Sequence, residues 1–210
     1  MHIEALNKET LDAFRLVANV PIVKKAYLAG GTALALHLGH RISEDLDFFS
    51  QTDFEEDILE EQMKAVEGFE LGDKNWKTIK GFIGSVKFSL FWYKYPLIEP
   101  TQTCEGIQIL GLKDLAGMKV HAITGRGVRR DYIDLYFLRK LFRQVEMMGF
   151  YEQKYGDFEN RAGMIFRALS YLDDAEDTPM PEMLVKVDWD EVKEFFEQEA
   201  REFAKEYIGI

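Results

Sequence analysis

The chain has 210 residues, 47% of them hydrophobic and 13% aromatic, enough to bury a sizeable core in one or two small domains. Its formal charge of −11 at pH 7 argues against a protein that coats nucleic acid through a basic surface, and no apolar run reaches the roughly eighteen residues of a spanning helix. MHIEALNKET lacks a basic-then-apolar signal pattern and the one cysteine, Cys104, cannot form an internal disulfide, so a cytoplasmic protein is expected.

Glu4 to Ala18 predicts an N-terminal helix, with Leu6, Leu11, Phe14 and Val17 on one side. Lys25 to Ala29 is a short β-leaning run containing Tyr27 and Leu28, and it stops at Gly30-Gly31. Thr32 is the expected N-cap of a helix over Ala33 to Leu38, whose free first amides point back towards the glycines and suit an anion. His37 and His40, three residues apart, make a poor zinc site by themselves. Asp45-Leu46-Asp47 follows. On a strand this spacing sends both carboxylates to one face and Leu46 and Phe48 to the other. Two such charges repel unless a cation neutralises them, which points to Mg²⁺ or Mn²⁺. With Arg41 and Ser43 between them, the glycine pair and the acidic pair describe a site for a metal-bound nucleoside triphosphate.

Further along, Asp53 to Val66 reads as an acidic helix, Phe82 to Tyr93 as a strand or hairpin arm, Pro96 to Thr101 as a connection and Gly106 to Leu110 as a short strand. Phe48, Phe49, Phe88, Phe91, Trp92, Tyr93 and Tyr95 read as core on their alternation. Leu112 to Ile123 has helical spacing, Thr124 to Gly127 breaks it, and Asp131 to Phe142 resumes it. Arg130, Asp131 and Asp134 are spaced to share one face of that second helix. From Lys113 to Arg143 eight basic residues face three acidic ones, a local +5, which leaves −16 on the rest of the chain. The pattern stays helical to the end, broken by a loop over Asp173 to Pro181 and closing in an amphipathic, acidic helix over Val187 to Tyr207.

GGTALAL at 30 to 36, HRISEDLDFF at 40 to 49 and LKDLAGMKVHAITGRGVRRDYIDLYFL at 112 to 138 together resemble the AbiEii/AbiGii-type nucleotidyltransferases, toxin components of bacterial abortive-infection and toxin-antitoxin systems. The resemblance spans about the first two thirds of the chain. It implies an α+β architecture: a polymerase-β-like lobe of mixed sheet and flanking helices over residues 1–112, then a helical lobe over 113–210 closing over the site. It implies transfer of a nucleoside monophosphate from an NTP to an acceptor, an RNA such as tRNA, under restraint by an antitoxin protein. In the second block Lys119 to Ala122, Arg126, Arg130-Asp131 and Asp134-Leu135 match the family pattern. The match implies that Lys119 contacts the triphosphate and that Asp131 or Asp134 acts as a general base or orienting group. One departure stands out. The strand where such enzymes carry a third metal-binding carboxylate, GSVKFSLFWY, has no acid, and Ser89 occupies about that place. That departure leaves open a nucleotide-binding protein without turnover, and because polymerase-β-like folds host both, the same chemistry on a small molecule such as an antibiotic or metabolite stays open too.

Overall fold

The computed structural model describes residues 1–209, and it divides into two compact units, Met1–Gly111 and Leu112–Ile210. No helix among the described residues is long and apolar enough to cross a membrane.

The first unit opens with a 3-10 turn, Ile3–Ala5, and helix α1, Lys8–Val17. The single helix expected over Glu4 to Ala18 is thus divided, because Asn7 caps α1 by accepting the Thr10 amide at 2.8 Å. Strand β1 (Tyr27–Leu28), helix α2 (Gly30–Leu38), strand β2 (Leu46–Ser50) and helix α3 (Glu56–Lys64) follow. Helix α3 starts later than Asp53 because Asp53 is drawn into an ion pair with Lys77 at 2.6 Å. Five strands complete the unit: β3 (Phe69–Asn75), β4 (Thr78–Ile83), β5 (Val86–Trp92), β6 (Gln102–Cys104) and β7 (Ile107–Ile109). The arm expected over Phe82 to Tyr93 is split by a turn at Gly84, whose φ of +58° favours glycine, so Phe82 and Ile83 belong to β4. Strands β3 and β6 were not expected from sequence.

All seven strands form one sheet in the order β3-β4-β5-β2-β1-β7-β6. Strand β2 runs parallel to β5 and β1 parallel to β7, while the other pairs are antiparallel. Residues alternate between two unlike faces. Leu46, Phe48, Ile79, Phe88, Leu90 and Ile109 are fully buried on one face, whereas Asp47, Phe49, Ser89 and Phe91 on the other are only partly covered. The aromatic residues expected to be core therefore divide: Phe48 and Phe88 are core, and Phe49, Phe91 and Tyr93 are not.

The second unit is helical: α4 (Leu112–Gly125), α5 (Arg129–Arg139), α6 (Gln144–Tyr155), α7 (Phe158–Ser170), the short α8 (Asp173–Glu176) and α9 (Trp189–Phe203), which ends in a π-turn over Ala204–Ile208. The loop expected over Asp173 to Pro181 thus contains α8. Helix α4 runs through Gly125, so the break falls at residues 126–128, and α5 begins two residues before Asp131. Helices α4 and α6 lie close, since a Cβ on Gly117 would stand 3.1 Å from the Phe150 carbonyl, and they share a fully buried ion pair, Asp114 with Lys154 at 2.7 Å. Helix α9 buries Val192, Phe196, Ala200 and Phe203 and is tied to α5 by Arg139 on Glu199 at 2.6 Å.

Candidate functional site

In the first unit, β1 delivers the chain to Gly30, where φ is +66°, a conformation that only glycine adopts without strain. Helix α2 starts there. Its N-cap is Ala29, and Thr32 lies inside the first turn, so Thr32 is not the N-cap expected from sequence. No side chain caps this helix start. The first-turn amides of Gly30, Gly31 and Thr32 cannot be satisfied from within the helix, and they carry the positive end of its dipole. Arg41 adds to that field: it is 3% exposed, and a Cβ on Gly31 would stand 2.4 Å from its Nη2. The absent side chain at residue 31 is what lets the guanidinium lie against the turn.

The acidic pair is attached to the same turn. The Ala29 amide donates to the Asp47 carbonyl at 2.9 Å, and a Cβ on Gly30 would stand 3.3 Å from Asp47 Oδ2. Asp45 lies one residue ahead of β2 rather than on it. It is held by another device. The buried Thr32 hydroxyl donates to the Asp45 carbonyl and meets Ser43 Oγ at 2.9 Å, while the Ser43 amide donates to Ala5 at 3.0 Å. Thr32, expected as a helix N-cap, and Ser43, expected within the triphosphate site, therefore use their hydroxyls to brace the acidic segment. On the parallel neighbour β5 the residue in register with Asp47 is Ser89, and in register with Ser89 on β4 is Lys80. Among the described residues no three His, Cys, Asp or Glu side chains converge to hold a metal unaided.

The second unit assembles the other expected residues. Lys119 on α4 is 4% exposed, and its Nζ lies 2.7 Å from Asp131 Oδ1 and 2.5 Å from Asp134 Oδ2, both aspartates on α5 and both fully buried. Arg126 joins from the connection, with Nε 2.8 Å from Asp131 Oδ2. Burial acts to raise the Asp131 pKa, but the charges and hydrogen bonds of Lys119 and Arg126 outweigh it and hold the carboxyl below its ordinary range. Arg130 is exposed, so it does not share the buried face of Asp131 and Asp134. At the α5 start the helix turns residue 130 outward. Lys80, unremarked in the sequence, was signalled only by the apolar-polar alternation of TIKGFI.

Comparison with known proteins bears on family and fold. Residues 14–103 match the family model described as the nucleotidyl transferase AbiEii toxin of type IV toxin-antitoxin systems. An uncharacterized protein of Aquifex aeolicus is 33% identical over 204 residues, which cover 94% of this chain and 97% of that protein. Two solved structures share the fold. The nucleotidyltransferase toxin MenT4 of Mycobacterium tuberculosis superposes with a TM-score of 0.59 at 14% identity, covering 95% of this chain and 86% of that one. JHP933 of Helicobacter pylori gives a TM-score of 0.53 at 21% identity, with 97% and 95% covered. A dipolar glycine turn braced against an acidic strand, in a chain matched to that family model and collinear with a full-length relative, places this protein in the AbiEii family of nucleotidyltransferase toxins.

Proposed function

We propose that this nucleotidyltransferase moves a nucleoside monophosphate from an NTP to a hydroxyl of an RNA acceptor, with a divalent cation held by Asp45 and Asp47, and that an antitoxin protein restrains it. The observation that supports this most directly is the contact of Asp47 with Gly30, since it sets an anion-binding helix start beside a metal-binding carboxylate. The chemistry of the residues present fits Mg²⁺ or Mn²⁺: Asp45 and Asp47 would supply carboxylate oxygens, and Mg²⁺ commonly takes one or two carboxylates together with substrate phosphates and water. When bound, the ion offsets charge developing on the α-phosphate and the departing pyrophosphate.

The chain's own groups do the rest. The amides of Gly30, Gly31 and Thr32 bind phosphate oxygens, and Arg41 reinforces their positive potential. The acceptor oxygen forms its bond to the α-phosphorus, the bond from that phosphorus to the bridging β-phosphate oxygen breaks, and the hydroxyl proton leaves to a carboxylate or water. Asp131, whose pKa is held low by Lys119 and Arg126, is a weak proton acceptor. We assign Asp131 and Asp134 to holding Lys119 in place within the second unit.

The test is transfer of label from each NTP to total bacterial RNA with Mg²⁺ or Mn²⁺. Asp45→Asn and Asp47→Asn should each lower transfer at least about a hundredfold while leaving thermal stability intact. Wild-type rates in both variants would overturn the site. Ser89 beside Asp47 favours one second reading, nucleotide binding without turnover; tight NTP binding by calorimetry with no pyrophosphate release would establish it.

A further inference from the structure

The open face of the sheet in the first unit carries two rows of side chains. One row holds Lys80, Ser89 and Asp47, in register across β4, β5 and β2. The next, about 7 Å along the strands, holds Thr78, Phe91, Phe49 and Tyr27 in register across β4, β5, β2 and β1. Three of its four side chains are rings, Tyr27 buried and Phe49 and Phe91 partly open, and Tyr93, just past the end of β5, prolongs them. Tyr27 and Phe49 stack with centroids 6.3 Å apart, Phe49 and Phe91 lie at 5.2 Å, Phe49 and Tyr93 at 5.0 Å, and Tyr93 and Tyr95 at 4.9 Å. Lys80 Nζ stands 5.9 Å from the Phe91 centroid, and Lys87 is exposed on the same face. Phe49, Phe91, Tyr93 and Tyr95 keep part of their surface open, although their strand neighbours Phe48 and Leu90 are wholly buried. Packing the core did not require rings on this side.

We infer that the Phe49–Phe91–Tyr93 row is the acceptor subsite, a platform on which the bases of a single-stranded polynucleotide stack so that its terminal hydroxyl reaches Asp47. The inference rests on the transferase reading above and adds the substrate form and the residues that hold it. Rings on a sheet surface stack only on bases that are already unstacked from partners, so the strand is single. Lys80 meets the chain's phosphates beside the acidic row. A protein carrying −11 gains little from long-range attraction to phosphate, so stacking supplies most of the affinity. Two phosphate contacts, from Lys80 and Lys87, give a log-log salt slope of only about −1.4 at about −0.7 per phosphate.

The experiment is fluorescence anisotropy with a labelled single-stranded oligoribonucleotide of mixed sequence, without NTP or divalent ion, so that chemistry is not read. Phe91→Leu and Phe49→Leu should each weaken binding by about tenfold or more, and Phe91→Trp should retain it, since any flat ring restores stacking. Lys80→Ala, a change at an exposed side chain, should lower the salt slope by about 0.7. Wild-type affinity in both Leu variants, or a steep salt slope unmoved by Lys80→Ala, overturns the platform. So does loss of a purified antitoxin protein from the Phe91→Leu variant with oligonucleotide binding kept, which would make the face a protein-docking surface. A wild type that binds an NTP with Mg²⁺ by calorimetry but no oligonucleotide overturns the platform alone and leaves the transferase reading standing. Ring-dependent oligonucleotide binding in a protein that transfers no nucleotide upholds the platform and sinks the transferase reading instead.

Discussion

Thr32 does more at this site than its place in the glycine turn suggests, because its hydroxyl spans from helix α2 to the Asp45 carbonyl and to Ser43. Thr32→Val keeps the shape and removes the donor, leaving a buried carbonyl and a buried hydroxyl short of a partner. The expected cost is about 1–3 kcal/mol of stability. Loosening Asp45 should also lower kcat for transfer with little change in the NTP KM, since the phosphate-binding amides remain. Urea unfolding and steady-state kinetics on one preparation check both, and an unchanged kcat would show that the brace serves stability alone.

At the scale of elements, helices α4 and α5 are joined by Lys119 lying between Asp131 and Asp134. Lys119→Met leaves two buried carboxylates without that cation and should cost about 3–5 kcal/mol. Loss of activity in that variant therefore says nothing about contact with a triphosphate. The informative comparison adds Asp131→Asn and Asp134→Asn to Lys119→Met. If buried charge is the cause, the triple variant recovers much of the stability in denaturant unfolding, whereas a packing defect would leave it as low as the single. The pH dependence of this cluster has a definite sign. The Asp131 pKa is lower folded than unfolded, so it contributes stability above the ordinary carboxylate pKa and loses it as pH falls through the depressed value.

Across the whole molecule, the same direction applies to several exposed carboxylates. Asp53 is lowered by Lys77, Glu56 by the Lys77 amide, Glu176 by Lys193, and Glu60 falls to about 2 beside Lys64 and Lys74. Solvent screens these surface pairs, so their individual contributions are small and Asp131 dominates. Stability measured by urea unfolding should be nearly flat from neutrality down to the ordinary carboxylate range and should decline below it, as pH falls through the lowered carboxylate values. Asp131→Asn should start lower at neutral pH and decline less steeply. A variant that parallels wild type throughout would remove Asp131 from the acid transition. Near the isoelectric point of about 4.9 the repulsion that keeps the chain dispersed vanishes, so these measurements need dilute protein.

What could be read from the chain alone follows from rules that act over a few residues. Gly30-Gly31 marks a turn because glycine tolerates the positive φ found at Gly30, the alternation of Leu46 to Ser50 marks β2, and helical periodicity marks α4, α5 and α9. The edge strand β3 escaped that reading because FELGDKN is exposed at nearly every position and bulged between Leu71 and Asp73, so no alternation marks it. Three features of the candidate site were decided only by tertiary structure. The register of Ser89 with Asp47 needs β5 to return parallel beside β2, a pairing of residues more than forty apart in the chain. The burial of Lys119 between two aspartates, and the exposure of Arg130 next to them, depend on how α5 rolls against α4. The aromatic row exists because four strands bring one ring each, or its neighbouring hydroxyl, to the same level of the sheet. Backbone preference is local and so is written in adjacent residues, whereas register and burial are properties of segments meeting in space, and only the folded chain specifies which segments meet.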